Sequence, residues 1–358
     1  MRVTRLFALI ALPCLLLCGC QRTGEVENQA YVLVLGMDRA EDGLLRLTAR
    51  IPKVGKGNEP SGEASGGGKY LTFTATGPDW PQARDALERV TPRPLNLSHI
   101  EMLVVSRALA SEADFPALAG HVAETPHLYT TACFVVCEGD ANAFVSVQEA
   151  AVGERLSAEL KAMLTHYSDE GYIPDCSLAE YCYATQSFYS DPAAVFARSG
   201  NDSQPMRQRY EGAALFREGV CAVILDTDET RLLELILGKS KALPLALDGR
   251  TVELTTERRA KRRVTPSGSG DLLEADLSFS TLDNVSVADI STLEDRLRSL
   301  IVDLIVKCQR AGVEPFGFSE RAAAGYATAS EWLASDWRSR YAAADVRVNV
   351  HIDRNTAP

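Results

Sequence analysis

Two neighbouring segments establish the architecture of this chain, Tyr31-Val-Leu-Val-Leu-Gly-Met37 and Leu45-Arg-Leu-Thr-Ala-Arg-Ile51. The first is almost continuously apolar, which is typical of a buried strand. In the second, apolar and polar residues alternate, as they do in a strand with one buried face. Asp42-Gly43 provides a turn signal between them. The two segments therefore predict a β-hairpin.

Strands and helices alternate after this hairpin. Further strands are predicted at Tyr70–Ala75, Ile100–Val105 and Thr130–Val136. Helices are predicted after Asp79, which can serve as an N-cap, and over Ser111–Ala123. Alternation of this kind is typical of helices packed on a sheet. The predicted fold class is α/β (mixed α+β), with several domains and mixed sheets.

A change in composition suggests where the domains divide. Residues 154–188 have a helical pattern, and Ser177-Leu-Ala-Glu180 fits a capping box. The polar stretch Ser190–Gln208 follows and provides the best domain boundary. We therefore predict an N-terminal domain over residues 20–200 and a C-terminal domain over residues 201–358.

The second half is predicted to contain an antiparallel sheet and one long helix. A hairpin around Glu218-Gly219 begins it, and alternating residues from Val346 to Ile352 form a half-buried last strand. Ser291-Thr-Leu-Glu294 fits a capping box, and Gly312 suits the C-terminus of the long helix. Its predicted apolar stripe consists of Leu293, Leu297, Leu300, Ile301, Leu304, Ile305 and Cys308.

The N-terminus is typical of a secreted protein. Arg2 and Arg5 precede an apolar run from Leu6 to Leu17, which resembles a secretory signal. The run is too short to span a bilayer, which takes about 20 apolar residues. An uncleaved anchor or an ordinary secretory signal would be the simpler alternatives.

The end of this segment, Leu17-Cys18-Gly19-Cys20, resembles the lipobox of bacterial lipoproteins. We predict that residues 1–19 are a lipoprotein signal peptide and that Cys20 receives the diacylglycerol. Cys18 is the competing site, but Leu17 is bulky for the residue before a cleavage point. Acyl chains would hold the protein on a membrane at about 0.8 kcal/mol per buried CH₂.

The charge of the chain argues against some partners. The formal net charge is −11, and it becomes more negative once Arg2 and Arg5 are removed. An acidic chain argues against nucleic acid, which needs a basic face. It also indicates that membrane attachment depends on lipid rather than on anionic head groups. Because no later segment is apolar and long enough to span a bilayer, we expect a soluble body.

The sequence offers no catalytic constellation, cofactor motif or metal site. Its five histidines lack metal-ligand spacing, and there is no P-loop, dinucleotide fingerprint or nucleophile elbow. The basic run Arg258–Arg263 could contact an anionic glycan or lipid, although the solvated side of a strand is the favoured interpretation. Free thiols are favoured for the cysteines beyond the signal, while a Cys176–Cys182 disulfide remains open.

Several segments form one ordered series, among them Cys20, Leu35–Asp38, Asn96–Glu101, Gly212–Phe216 and Pro315–Phe318. Together they resemble the Ger(x)C family, the C-subunit lipoproteins of spore germinant receptors. The C-terminal part of the resemblance is the most specific, because its order and spacing run through a long helix and a final strand. Glu314 stands where the family commonly has Asp, and Tyr341 where it commonly has Phe. The matching segments are Cys20, Glu25–Ala30, Leu35–Asp38, Asn96–Glu101, Leu103–Ser106, Gly212–Phe216, Glu229–Leu233, Pro315–Phe318, Trp332, Trp337 and Tyr341.

The resemblance implies a non-catalytic protein anchored by Cys20 on the outer face of the spore inner membrane. Its partners would be the integral-membrane A and B subunits of a receptor for nutrient germinants. We predict that Trp332, Trp337 and Tyr341 pack in the core rather than stack on a ligand. The alternative function is a lipid-anchored extracytoplasmic solute- or glycan-binding protein, which would need a pocket between two lobes.

Overall fold

The computed structural model describes residues 28–53, 70–146, 156–187, 189–199, 208–267 and 270–354. The strands are β1 (Ala30–Tyr31), β2 (Val34–Arg39), β3 (Leu45–Pro52), β4 (Tyr70–Gly77), β5 (Leu95–Asn96), β6 (Met102–Ser106), β7 (Cys133–Cys137), β8 (Ala193–Ser199), β9 (Gln208–Arg217), β10 (Val220–Leu225), β11 (Ala242–Leu247), β12 (Arg250–Ser267), β13 (Gly270–Thr281) and β14 (Asp345–Arg354). The helices are α1 (Trp80–Val90), α2 (Arg107–Ala110), α3 (Phe115–Ala123), α4 (Ala141–Ser146), α5 (Leu156–Asp169), α6 (Leu178–Gln186), α7 (Thr227–Leu237), α8 (Val287–Ala311), α9 (Phe318–Ala323), α10 (Ala329–Ala334) and α11 (Trp337–Ala343). The predicted mixed α+β class is confirmed.

The larger of the two main sheets has eight strands in the order β10-β9-β8-β7-β6-β2-β3-β4. Its centre, from β2 through β6 and β7 to β8, is parallel, and the intervening helices make the crossovers. An antiparallel pair completes each edge, with β3 and β4 on one side and β9 and β10 on the other. The predicted hairpin of β2 and β3 is therefore present, and it starts this sheet.

Helices cover both faces of the larger sheet. On one face α1, α3 and α6 enclose a core in which Phe115, Phe134, Tyr181 and Phe216 meet with ring centroids 4.8–6.5 Å apart. On the other face a second core includes Phe144 of α4 and residues of α5. Two buried faces explain why the central strands are nearly continuous apolar runs.

The second main sheet has four strands in the order β11-β12-β13-β14 and packs on α8. Strands β11 to β13 are antiparallel, whereas β14 returns parallel to β13 because α8 and three short helices lie between them. The predicted stripe of α8 is buried, apart from Leu300, which is 39% exposed. Gly312 ends α8 in the left-handed region, with φ 68°, as predicted.

Strand β9 contributes to the cores of both halves of the chain. Ala214 and Phe216 face the core beneath α3 and α6, while Ala213 and Leu215 face the core that contains α8. Side chains alternate between the faces of a strand, so one strand can serve two cores. The larger sheet thus continues through residue 225. The division at residue 200 stays a prediction.

One local prediction was wrong, the position of the capping box of α8. Helix α8 begins at Val287, because Ser286 and Asp289 form the capping box in place of Ser291 and Glu294. Glu294 instead accepts the backbone N–H of Ile352 at 2.9 Å, which holds β14 against α8. The basic run lies in the single long strand β12, and most of its side chains are exposed, as the favoured interpretation predicted. Arg262 differs, because it turns inward and donates to the Phe316 carbonyl.

The corrected cap of α8 can be tested by two matched substitutions. Ser286→Ala removes the acceptor for the Asp289 N–H, and we expect it to lower the free energy of unfolding by about 1 kcal/mol. Ser291→Ala, at an exposed position within the helix, should change it by less than about 0.5 kcal/mol. Urea unfolding of both variants measures the difference. Equal losses would contradict the assignment of the cap.

Candidate functional site

The candidate site is a cavity of about 380 Å³ at the junction of the larger sheet and the C-terminal helices. Four segments line it. They are the end of α6 with the described residues that follow it (Ala184, Thr185, Ser187 and Tyr189–Asp191), the turn at Glu218-Gly219, the connection from α8 to the start of α9 (Gly312–Ser319), and Trp332–Tyr341 of α10 and α11. Both halves of the chain therefore contribute to its walls. We call it the junction cavity.

The turn after α8 is built around Glu314, which is 4% exposed. Its Oε1 accepts the backbone N–H groups of Phe316 and Phe318 at 2.9 and 3.1 Å. Its Oε2 accepts the backbone N–H and the hydroxyl of Ser319 at 3.0 and 2.6 Å. Burial raises the pKa of Glu314, while these hydrogen bonds oppose the increase. The carboxylate holds the turn in place and has no free oxygen for chemistry.

Asp191 ties three segments of the wall together. Arg338 donates to its two carboxylate oxygens at 2.9 and 3.2 Å. The Glu314 N–H donates to the same carboxylate at 2.8 Å. Burial lowers the pKa of Arg338, but its hydrogen bonds and attraction to Asp191 outweigh that effect, so the pKa is raised. The paired charges therefore stabilise the wall, and fork-shaped pairing fixes its geometry.

Aromatic rings form the floor of the junction cavity. Tyr189 stacks on Trp332 with centroids 6.1 Å apart, and Trp337 follows at 5.6 Å from Trp332 and 6.0 Å from Tyr341. Trp332, Trp337 and Tyr341 are 3%, 8% and 1% exposed, so the predicted core packing is confirmed. The same three residues also line the cavity, which the prediction did not include.

Two polar atoms of this floor have no hydrogen-bond partner among the described residues. They are Nε1 of Trp337 and the hydroxyl oxygen of Tyr341, and both are buried. Burial raises the pKa of Tyr341 well above its ordinary value, so its hydroxyl stays protonated. Buried polar groups are normally hydrogen-bonded.

The charge of the lining restricts which molecules can enter. The acidic residues Asp191, Glu218, Glu314 and Asp336 line the junction cavity, and Arg338 is its one basic lining residue within the described part of the chain. Arg338 is already paired with Asp191 and lies 3.5 Å from Glu218. The lining therefore repels anions and leaves no free guanidinium for them.

A second crevice lies at the carboxyl ends of β2, β6 and β7, where open α/β sheets commonly bind ligands. Its charged side chains pair with one another. Arg46 bonds Asp38 and lies 3.0 Å from Asp140, and Arg107 lies 3.2 Å from Glu138. These pairs occupy the groups that a ligand would use, so this crevice is the weaker candidate.

Cysteine chemistry does not offer a reactive site in the described residues. Cys133, Cys137, Cys176, Cys182, Cys221 and Cys308 are all free thiols, so Cys176 and Cys182 form no bridge. Burial raises the pKa of Cys137 and Cys308 to about 12 and that of Cys221 to about 11. Such thiols are protonated at neutral pH and are poor nucleophiles. The described residues also contain no His, Cys, Asp and Glu cluster suited to a metal ion.

The predicted lipidation site, Cys20, lies outside the described residues, as does the whole predicted signal peptide. Within the described ranges, no helix has both the length and the apolar character needed to cross a membrane. The sequence analysis did not identify Asp191, Arg338 or Ser319 as site residues. No local pattern marks them, since Asp191 and Arg338 are 147 positions apart.

Comparison with known proteins gives consistent results for both halves of the chain. Residues 22–196 match the family model described as the spore germination protein N-terminal domain. Residues 211–356 match the model described as spore germination B3/GerAC-like, C-terminal. The chain is 21% identical over 362 aligned residues to YfkR of Bacillus subtilis (strain 168), which is named as a candidate spore germination protein. That alignment covers 94% of this chain and 92% of YfkR.

The fold has a solved counterpart. The crystal structure of the GerBC protein superposes with a TM-score of 0.52 at 14% identity, covering 90% of this chain and 97% of GerBC. At this identity the likeness concerns the fold alone. Together, the two matched domains account for nearly the whole chain after residue 21. The protein belongs to the Ger(x)C family of spore germination proteins.

Proposed function

We propose that this protein is the non-catalytic C subunit of a nutrient germinant receptor. Its role would be to assemble with integral-membrane A and B subunits and to support their signalling. The observation that carries the proposal is that residues 22–196 and 211–356 match the two domains of one spore germination family. The junction cavity agrees with a non-catalytic role, because the carboxylates of Asp191 and Glu314 are both engaged in structural hydrogen bonds.

The proposal includes a lipid anchor at Cys20 on the outer face of the spore inner membrane. The support is the sequence Leu17-Cys18-Gly19-Cys20 after a short apolar run. The family model begins at residue 22, directly after this segment. The acyl chains of the diacylglycerol would hold the protein on the bilayer, since membrane affinity rises with each buried CH₂.

The partner proposal is tested by co-purification. The tagged full-length protein is extracted from spore membranes with detergent, and the proteins bound to it are identified by mass spectrometry. We expect integral-membrane A and B germination subunits in amounts similar to that of the bait. Recovery of transporter subunits, or of no membrane protein, would contradict the receptor role. An extract from cells that lack the tag provides the background.

The anchor is tested by two cysteine variants. We expect Cys20→Ala to move most of the protein from the membrane to the soluble fraction and to slow germination, because the acyl chains are lost. Cys18→Ala is the matched control and should leave the protein on the membrane. Fractionation and immunoblotting measure the distribution. Membrane retention of Cys20→Ala, or release of Cys18→Ala, would show that the lipidated residue is not Cys20.

A further inference from the structure

We propose that a basic patch at the end of the body nearest the anchor binds the anionic head groups of phospholipids. The basic patch consists of Lys239, Lys241, Arg258, Arg259 and Lys261, which are all exposed. This contact rests on the lipid anchor proposed above. It adds an orientation, in which one particular end of the folded body lies against the bilayer.

The five cations of the basic patch have no ion-pair partner among the described residues. Glu257 is the one acidic residue within the run from Arg258 to Lys261 and its immediate neighbours. Asp276 lies opposite Lys261 in the sheet, but its carboxylate is already paired with Arg263 at 2.7 Å. The patch is therefore locally positive, although the chain as a whole has a formal charge of −11.

Two irregularities of β12 bring the arginines of the patch to the surface. The register of β12 against β13 shifts between Thr256 and Arg258, and again between Arg258 and Lys261. Consecutive side chains of a regular strand point to opposite faces of the sheet, whereas a β-bulge changes the direction of the extra residue. Arg258 and Arg259 are accordingly both exposed, although they are adjacent.

The segment that leaves α7 adds the two lysines. Gly238 ends α7, and a side chain added there would meet the Cγ atom of Arg259 at 3.2 Å, so Arg259 lies beside the start of this segment. Lys239 follows directly. The carbonyl of Lys241 accepts the backbone N–H of Thr256 at 2.8 Å, next to the irregular part of β12. The two segments thus bring their cations together at one point of the surface.

The N-terminus enters the body at the amino-terminal end of the central parallel strands. Leu33, just before β2, accepts the backbone N–H of Glu101, just before β6, and Glu101 accepts that of Cys133 at the start of β7. Ala30 lies ten positions after Cys20, and an extended chain of that length spans at most about 35 Å. This end of the sheet, which we call the anchor end, is therefore the part that the lipid holds closest to the bilayer.

The basic patch lies at the anchor end. Cys176 accepts the backbone N–H of Phe134, the second residue of β7. In the segment that leads to Cys176, a side chain added at Gly171 would meet Ser240 at 3.1 Å, and Ser240 directly follows Lys239. Burial raises the pKa of the Cys176 thiol, and the charge of Lys239 opposes the increase. The cations of the patch therefore lie on the side of the body where the lipid head groups are.

Exposed apolar side chains lie at the anchor end as well. Leu71 at the start of β4, Val90 at the end of α1 and Tyr129 shortly before β7 are 39%, 50% and 47% exposed. Tyrosine is enriched at the boundary between lipid and water, where its ring is apolar and its hydroxyl is solvated. Cations next to exposed apolar groups suit the surface of an anionic bilayer.

An acidic protein segment is the competing occupant of the basic patch, and protection of a strand edge is the competing role. Strand β11 pairs with β12 only as far as Thr255. Charged side chains beyond that point would keep the open edge from pairing with another strand. Neither alternative depends on the composition of the lipid, so a change of lipid distinguishes them from the proposal.

The test places the full-length lipidated protein in nanodiscs of phosphatidylcholine, with or without about 30 mol% phosphatidylglycerol. Lysine side chains are acetylated briefly and quantified by mass spectrometry. We expect Lys239, Lys241 and Lys261 to react at least about threefold more slowly in the anionic discs, and this difference to disappear in about 0.5 M salt. Lys307, which pairs with Glu229 outside the patch, should react equally in both.

The same experiment separates the patch from the anchor. Incorporation into neutral discs depends on the acyl chains and needs no basic patch. Equal reaction of the patch lysines in both discs, with the protein incorporated in both, would overturn the proposal and leave the anchor intact. Incorporation only into anionic discs would support the patch and contradict the anchor. Failure to enter either disc would overturn both.

Two charge reversals locate the contact. Arg258→Glu and Lys241→Glu should each lower the ratio of Lys239 acetylation rates between neutral and anionic discs by at least about half. Arg310→Glu is the matched control, since Arg310 is exposed, lies outside the patch and has no ion pair among the described residues. It should leave the ratio unchanged, and all three variants should keep the wild-type melting temperature. An unchanged ratio in both patch variants would overturn the assigned surface.

Discussion

Replacing Glu314 by Gln should lower the free energy of unfolding by about 2–4 kcal/mol, one of the largest losses that we expect from a single isosteric change. Each of the two oxygens of the Glu314 carboxylate accepts two hydrogen bonds, four in all. In glutamine one oxygen becomes an NH₂ group, which would face backbone N–H donors on one side or the donors of Ser319 on the other. At least one buried donor then loses its acceptor, whichever way the amide is turned.

The measurement is urea unfolding of the wild type and of Glu314→Gln at one pH. Glu320→Gln is the matched control, because Glu320 is exposed and close by in the chain. The control should change the free energy of unfolding by less than about 0.5 kcal/mol. If Glu314→Gln were as stable as the control, the turn after α8 would not depend on the four hydrogen bonds of the carboxylate.

The second large effect concerns Glu234, a buried carboxyl on α7 that is 1% exposed. Neither of its oxygens has a hydrogen-bond partner among the described residues. Burial raises its pKa to about 7; the charge of Lys239 opposes this increase, and the charge of Asp175 adds to it. In the unfolded chain the pKa returns to the ordinary value for glutamate, about 4.3. The folded protein therefore binds a proton more tightly than the unfolded chain does.

The sign of the pH dependence follows from this difference. The stabilisation from protonated Glu234 is fully present below about pH 4.3 and is lost as the pH rises through 7. A difference of this size in pKa corresponds to about 4 kcal/mol between the acidic and alkaline limits. We expect Glu234→Gln, which cannot ionise, to be more stable than the wild type at pH 8.5 and similar to it at pH 5.

Unfolding curves at pH 5, 6, 7 and 8.5 test this prediction. Asp228→Asn provides a control on the same helix, because Asp228 is exposed. The control should keep the wild-type decline in stability between pH 5 and 7, whereas Glu234→Gln should lose most of it. A wild-type stability that rises between pH 6 and 8.5, or a decline that survives in Glu234→Gln, would contradict the assignment.

Much of the fold could be predicted because the deciding signals are local. The continuous apolar run of β2 and the stripe of α8 are periodic patterns, and Gly312 is a local helix-end signal. Errors arose where two local signals competed. Ser286 and Ser291 each precede an acidic residue by three positions, and only packing of Glu294 against β14 distinguishes them.

The site could be predicted much less well, because it depends on contacts between distant residues. The aromatic side chains of Trp332, Trp337 and Tyr341 were predicted to pack in the core on an amphipathic helix, and they are buried. Their spacing does not show that they share a cavity with Asp191. Asp191 bonds Glu314, which lies 123 positions later in the chain. The unpartnered Nε1 of Trp337 likewise depends on which groups surround it in three dimensions. Such information is absent from any single stretch of sequence.

The double role of β9 has a consequence for biosynthesis. Strand β8 ends at Ser199. It pairs with β7 on one side and with β9, which begins at Gln208, on the other. While the ribosome is still completing the chain, β8 has an open edge of N–H and C=O groups, which can pair with another nascent chain. That edge is covered only when residues up to Arg217 have emerged. A polypeptide interrupted between the two matched domains would therefore leave this edge unpaired, and the two pieces would need to associate before the eight-stranded sheet was complete.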